Sequence, residues 1–183
     1  MPRFGRIARM RPVPGELLHF SEDPAIAVFR PHVAATARQR DAHVWAVDAQ
    51  HAPSYWFPRQ CPRAMAWIGP GTTAGDRERI FGATAAGRVH VIEYAWLSAL
   101  ATTTVYAYRF DAAPFRQLDV AWVADETVRP LGPPEPVGDL IAAHDAAGIE
   151  LRVVNDLRPW WSAVIESTVE FSGIRLRNAR HQL

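Results

Sequence analysis

Lysine is absent from the 183-residue sequence, and all 20 of its basic residues are arginines. This absence excludes Schiff-base chemistry, an anchor for pyridoxal phosphate and a P-loop lysine, because each of these needs the amine of a lysine side chain. Cysteine occurs once, at Cys61, which excludes an intrachain disulfide and a cysteine zinc cluster. A single cysteine fits a reducing compartment, and we expect the protein to be cytoplasmic.

Long apolar runs and an excess of one charge are also missing. No stretch approaches the roughly 20 apolar residues that a membrane span needs, so we expect no membrane partner. The net charge of +1 creates no field that would attract nucleic acid, so a nucleic-acid partner is possible but unsupported. Four arginines and no apolar core in MPRFGRIARMRP indicate a basic arm over residues 1–14, followed by a single domain over 15–183.

Fifteen prolines divide the chain into short segments, some with the pattern of strands and others with that of helices. Such a mixture is typical of an α+β fold, and no G-x-G-x-x-G follows a strand, so a Rossmann site is not expected. The composition and periodicity predict strands over 16–20, 43–48, 63–69, 88–94, 103–110, 120–124 and 149–154, with a final short strand or tail over 173–179. They predict helices over 23–29, 49–57, 73–81, 95–100, 137–148 and 158–168.

Polar residues stand near the ends of the first two predicted strands. In ELLHFS, His19 and Ser21 point to the same side of an extended chain, where they could hold a ribose or an amide. Alternatively, the imidazole of His19 is structural and bonds a neighbouring carbonyl. Asp48 ends the second strand and could cap the next helix. Tyr55 on that helix could stack on a flat ligand or serve as a core aromatic.

The order of three segments, LLHFSED, VWAVDAQHAPSYW and VYAYRF with VAWVADETVRPL, resembles the ADP-ribosyltransferase-like superfamily. The resemblance implies an α+β pair of small sheets with short helices and a central cleft. It also implies NAD as substrate, with transfer of ADP-ribose to an unidentified acceptor or hydrolysis of NAD.

The same resemblance assigns roles to individual residues. It places His19 on the NAD ribose with Phe20 and Ser21 beside it, and Tyr55 on the nicotinamide. Asp48 would support the loop. Ala121 stands where such a transferase often has its glutamate, so Glu126 is the reserve candidate for the catalytic acid.

Arginines and histidines suggest further sites. Arg59 and Arg63 in FPRQCPR could grip the pyrophosphate of NAD, because guanidinium forks match phosphate oxygens, or they could be solvated surface residues. Arg175 and Arg177 would share one face of the last strand, as a basic edge for RNA or as a solvated face.

Imidazoles and carboxylates are also metal ligands, but the sequence lacks H-E-x-x-H and we predict no metal site. The residues that could serve as ligands in such a site are His19, His43, Asp48 and His51.

Residues 16–180 are also similar to a bacterial group of unknown function, the DUF6886-like proteins, which share FPR.CPR and SGIRLRNAR. This similarity names no activity. Two alternatives to the transferase therefore stay open. One is a non-catalytic module that binds a nucleotide or a protein, which the lack of a carboxylate at Ala121 favours. The other is an enzyme of the RNA 2′-phosphotransferase type, which would need Arg59, Arg63 or the C-terminal arginines.

Overall fold

The computed structural model describes residues 12–33 and 41–180. The chain divides into two compact units. Unit 1 contains the described residues up to Trp56 together with Thr104–Gly138, and unit 2 contains Phe57–Thr103 together with the described residues from Asp139 onward. Most of the predicted basic arm lies outside the described residues. Two compact units can unfold as one domain or as two, so the single domain over 15–183 stays a prediction.

Ten strands, four α-helices and several short 3-10 helices make up the described chain, and this mixture confirms the α+β class. The strands are β1 (Glu16–Ser21), β2 (Val44–Ala46), β3 (Arg63–Trp67), β4 (Arg88–Glu93), β5 (Tyr106–Asp111), β6 (Arg116–Leu118), β7 (Ala121–Ala124), β8 (Glu135–Pro136), β9 (Glu150–Val154) and β10 (Glu170–Ile174). The α-helices are α1 (Ala74–Phe81), α2 (Leu97–Thr102), α3 (Leu140–Ala146) and α4 (Arg158–Ile165). The 3-10 helices are Ala52–Tyr55, Tyr94–Trp96 and Leu176–Asn178.

Unit 1 is built from two three-stranded antiparallel sheets, with the orders β1-β5-β8 and β2-β7-β6. A bridge between Leu18 and Val47 joins the first sheet to the second. The apolar side chains of both sheets share one core, because alternate residues of each strand point inward. Its buried members are Leu17, Phe29, Val44, Ala46, Tyr108, Phe110, Phe115, Ala124 and Val128.

Two helices predicted in unit 1 are not formed as expected. The helix over 23–29 is wrong: the Asp23 carboxylate accepts from the Ala25 N–H at 2.8 Å, which closes a turn, and Phe29 forms a bridge with Val128. Within 49–57 only the 3-10 helix Ala52–Tyr55 forms. Pro53 lies in its first turn and Pro58 follows closely, so the segment is too short to extend into an α-helix.

Unit 2 contains a four-stranded sheet with the order β10-β3-β4-β9, in which only β4 and β9 are parallel. The helices α1 and α4 supply apolar residues to a core on one side of this sheet. The predicted start of α1 is confirmed, because Thr73 accepts from the Asp76 N–H. Buried members of this core are Ala64, Ala66, Ile80, Phe81, Val89, Val91, Leu157, Val164, Val169 and Ala179.

The last predicted strand is displaced toward the N-terminus. The strand β10 ends at Ile174, and Arg175 adopts a left-handed conformation with φ of 56°. Arg177 lies in the following 3-10 turn, so the prediction that both arginines share one face of a strand is wrong. A left-handed residue reverses the direction of the chain, which no periodicity in SGIRLRNAR indicates.

Candidate functional site

His19 is half-buried on β1, directly opposite Tyr108 of β5. Its Nδ1 donates to the carbonyl oxygen of Trp45 at 2.8 Å, and its ring meets the edge of Phe29 with 4.9 Å between centroids. A carbonyl oxygen only accepts, so Nδ1 carries a hydrogen and donates it to this carbonyl. The carbonyl therefore fixes the orientation of the imidazole.

Phe20 and Tyr55 form a parallel aromatic pair, with 6.3 Å between ring centroids and 7° between planes. Because successive strand residues point to opposite faces, Phe20 and its partner lie across β1 from His19 and Ser21. The structure thus separates the predicted NAD-binding residues of unit 1 into two groups. The strand ends at Ser21, so the two groups lie on opposite faces at the end of β1.

Ser21 and Asp48 both accept local hydrogen bonds. The Ser21 hydroxyl accepts from the Asp23 N–H at 3.1 Å. One carboxylate oxygen of Asp48 accepts from the backbone N–H of His51 at 3.0 Å and from its ring Nδ1 at 2.8 Å, and the other accepts from Trp122 Nε1 at 3.4 Å. Burial raises the pKa of Asp48, but the bonds from His51 and Trp122 outweigh it and hold the pKa below its ordinary value. Asp48 thus ties together the turn before Tyr55.

A second carboxylate–histidine pair was missed by sequence reasoning. The Nδ1 of buried His43 donates to Asp125 at 2.6 Å, and the guanidinium of Arg116 donates to the same carboxylate at 3.3 Å. The Arg116 bonds, followed by the His43 bond, lower the pKa of Asp125 although burial opposes them. Antiparallel pairing of β2 with β7 brings the two residues together, since one precedes β2 and the other follows β7. Only a correct strand pairing could have predicted this contact.

The third motif of the resemblance lies on β7 and in the turn after it. Ala121, at the position where the glutamate is expected, is buried at the start of β7. Glu126, the reserve acid, is exposed in the turn that follows the strand.

Unit 2 contains a buried chain of hydrogen bonds through two histidines. Arg88 Nε donates to His90 Nε2 at 2.8 Å, His90 Nδ1 lies 3.0 Å from His144 Nε2, and His144 Nδ1 lies 2.7 Å from the Leu140 carbonyl. Arginine only donates and a carbonyl only accepts, so every bond runs in one direction and both rings are neutral.

Burial explains why these rings stay neutral. Desolvation is the main cause that lowers the pKa of His144 to about 4, and the charges of Arg88 and Arg63 act in the same direction. Desolvation also lowers the pKa of His90 well below its ordinary value. The sequence held a signal for this chain, because His90 lies within an apolar strand and His144 on the apolar face of a helix. A histidine in either place needs a buried partner.

The two arginines predicted to grip a pyrophosphate both belong to unit 2. Arg63 is only 3% exposed, and its guanidinium donates to the Cys61 carbonyl at 3.0 Å and lies 5.1 Å from the centre of the Phe57 ring. Burial raises the pKa of the Cys61 thiol to about 12 despite the charge of Arg63, so this cysteine is unreactive. Arg59 is exposed in the preceding turn. The pyrophosphate role of both arginines stays a prediction.

Neither a metal-ligand cluster nor a membrane-spanning helix occurs within residues 12–33 and 41–180. No group of three or more His, Cys, Asp or Glu side chains in these ranges is arranged to hold a metal ion. None of the helices there has the length and apolar content needed to cross a bilayer.

Comparison with known proteins identifies a family for this chain. The model of a family of unknown function, DUF6886, matches residues 18–179, a range that includes every predicted site residue. No curated protein and no solved structure matches the chain. Because the match covers nearly the whole sequence, the chain belongs to the DUF6886 family.

Proposed function

We propose that unit 1 binds NAD at the end of β1 and that the protein transfers ADP-ribose from NAD or hydrolyses NAD. The observation that carries this proposal is the orientation of His19, whose ring is fixed by the Trp45 carbonyl. An imidazole held in one orientation can exchange a hydrogen bond with a ribose hydroxyl. The order of motifs that resembles the ADP-ribosyltransferase-like superfamily supports the same assignment.

The remaining residues of this end of unit 1 suit the other parts of the nucleotide. The parallel rings of Phe20 and Tyr55 offer an aromatic surface for the nicotinamide. The ordered Asp48 supports the turn that leads to Tyr55. The two small three-stranded sheets within unit 1 are consistent with the proposed ADP-ribosyltransferase-like pair of small sheets.

The reaction breaks the bond between the ribose carbon and the nicotinamide nitrogen, and the electron pair leaves with nicotinamide. Positive charge develops on the ribose, so a nearby carboxylate stabilises the transition state. Glu126 is the proposed carboxylate. Its second task is to accept the proton that the attacking water or acceptor loses when the new bond to the ribose carbon forms.

A non-catalytic nucleotide-binding module is the second candidate, and the acidic residues around β7 favour it. Ala121 has no carboxylate, Asp125 is already bound to His43 and Arg116, and Glu126 lies in an exposed turn. An exposed carboxylate is surrounded by water and stabilises a nearby cation less than a desolvated one. Binding and catalysis therefore need separate tests.

Thermal unfolding with NAD and with ADP-ribose tests binding. A ligand that binds only the folded state stabilises it by about 2.7 kcal/mol when its concentration is a hundred times Kd. We expect NAD to raise Tm and His19→Ala to abolish the shift. His32→Ala is the matched control, because His32 is an exposed histidine of the same unit. Absence of any shift with NAD, or an equal shift in His19→Ala, would contradict the proposal.

Release of nicotinamide separates the enzyme from the binding module. We expect the wild-type protein to release nicotinamide from NAD, and Glu126→Gln to lose this activity while keeping the thermal shift. Glu166→Gln, which changes an exposed glutamate of unit 2, should behave like wild type. Binding of NAD without release of nicotinamide would favour the non-catalytic module.

A further inference from the structure

The turn after β10 and the turn before β3 lie side by side in unit 2. In the antiparallel pairing of these strands, Ile174 lies opposite Arg63, so the residues that follow β10 run beside those that precede β3. The side-chain amide of Asn178 donates to the Gln60 carbonyl at 2.7 Å and to its side-chain oxygen at 3.3 Å. These bonds tie the two turns together and place Arg175 and Arg177 near Arg59.

Arg175 and Arg177 differ from the arginines that form ion pairs in the described part of the chain. No salt bridge within residues 12–33 and 41–180 joins Arg175 or Arg177 to a carboxylate. Burial, followed by the charges of Arg177 and Arg59, lowers the pKa of Arg175. Like charges held together are unfavourable until an anion neutralises them. By contrast, Arg79, Arg109, Arg116, Arg152 and Arg158 each pair with a carboxylate.

The backbone of this turn is held in an unfavourable conformation. Arg175 has φ of 56°, a left-handed conformation that residues with a side chain rarely adopt. Leu176 packs against the apolar core and anchors the turn. A Cβ at Gly173 would lie only 2.6 Å from Leu176 and 2.7 Å from Trp161, so the turn packs closely on the strand. Strain that the surrounding structure maintains is typical of a functional site.

We propose that Arg59, Arg175 and Arg177 form a phosphate-binding site on unit 2, which takes the pyrophosphate group of a small molecule. Guanidinium groups bind phosphate oxygens with two parallel hydrogen bonds, and several of them together match the charge of a pyrophosphate. All three residues belong to unit 2 and the site uses no residue of unit 1, so this inference does not rest on the proposed binding of NAD.

Calorimetric titration of the full chain with inorganic pyrophosphate at low ionic strength tests the site. Charge-assisted hydrogen bonds are strong enough that removing one guanidinium is expected to weaken binding about tenfold or more. The informative variants are Arg175→Gly, which also suits the positive φ and so protects folding, and Arg177→Gln. Arg77→Gln is the matched control, because Arg77 is an exposed arginine of α1 in the same unit.

The site is supported if wild type, Arg77→Gln and His19→Ala bind pyrophosphate equally and the two arginine variants bind about tenfold more weakly with an unchanged Tm. It is contradicted if wild type does not bind pyrophosphate, or if Arg77→Gln weakens binding as much as Arg177→Gln. A short RNA that binds through Arg175 and Arg177 when pyrophosphate does not would also overturn it. Loss of NAD binding alone, with pyrophosphate binding intact, would reject the proposed function and leave this site standing.

Discussion

The two units place histidine side chains in different surroundings. In unit 1 the histidines at positions 19, 43 and 51 each donate through Nδ1 to a carbonyl or a carboxylate. In unit 2, His90 and His144 bond each other and are completely buried. The first arrangement fixes the orientation of single imidazoles, whereas the second joins two neutral imidazoles within the core. The hydrogen-bond partner and the burial of a histidine therefore determine its role more than the residue type does.

The units also differ in secondary structure. Within its described residues unit 1 contains strands and a 3-10 helix, whereas all four α-helices of the described chain belong to unit 2. A helix can form from local hydrogen bonds and caps, but a small antiparallel sheet depends on partners that are distant in sequence. We therefore expect the secondary structure of unit 2 to be specified by the local sequence, through helix caps and periodicity, more than that of unit 1.

The largest expected effect is on the buried histidine pair. His144→Ala leaves the His90 Nδ1–H without its acceptor and opens a cavity, so we expect the free energy of unfolding to fall by about 3 kcal/mol. His51→Ala in unit 1 removes a half-buried ring and should cost about 1 kcal/mol or less. Urea denaturation measures both values. An equal cost for the two variants would remove the contrast between the units.

Acid should destabilise the protein through the same pair. The folded pKa of His144 is about 4 and its ordinary value is 6.5, so between these pH values the unfolded chain binds a proton that the folded chain does not. The stability that depends on a neutral His144 is therefore present above pH 6.5 and is lost as the pH decreases toward 4. We expect the free energy of unfolding to fall by roughly 2 kcal/mol between pH 7 and pH 5. Urea denaturation at pH 5, 6 and 7 measures this slope. The slope should flatten in His90→Leu/His144→Leu; a slope unchanged in that variant would assign it to other groups.

The smallest expected effect compares two aspartates that precede predicted helices. Asp139 accepts from the N–H groups of Ile141 and Ala142 and caps α3, so Asp139→Ala should lower the free energy of unfolding by about 1 kcal/mol. Asp23 closes only a turn in unit 1, so Asp23→Ala should cost less. Circular dichroism and urea denaturation can compare the two variants. A larger effect of Asp23→Ala would show that local caps matter no more in unit 2 than in unit 1.

This contrast explains which helices and strands could be predicted. The segments 73–81, 137–148 and 158–168 contain helices close to their predicted positions, because caps and apolar periodicity act over a few residues. The segment 23–29 has the same local features, Asp23 followed by Pro24, yet its backbone pairs with Val128 from a distant part of the chain. The strand β6 was not predicted, since its three residues are mostly polar and its partner β7 defines it.

The candidate site follows the same rule. Sequence reasoning placed His19 and Ser21 on one face of a strand, and the bounds of β1 agree with that placement. The carbonyl that orients His19 comes from Trp45, and the acceptor of His43 comes from Asp125. Both partners depend on the pairing of strands, which local patterns do not specify. The bonded pair His90–His144 likewise joins a strand to a helix 54 residues away.

Hydrogen–deuterium exchange of the full chain with and without NAD tests the central claim most directly, because it reports where the ligand binds. We predict that NAD slows exchange of the amides in β1 and in residues 44–55 of unit 1, and that His19→Ala removes this protection. Unchanged exchange in unit 1, or protection confined to β3 and β4 of unit 2, would contradict the account.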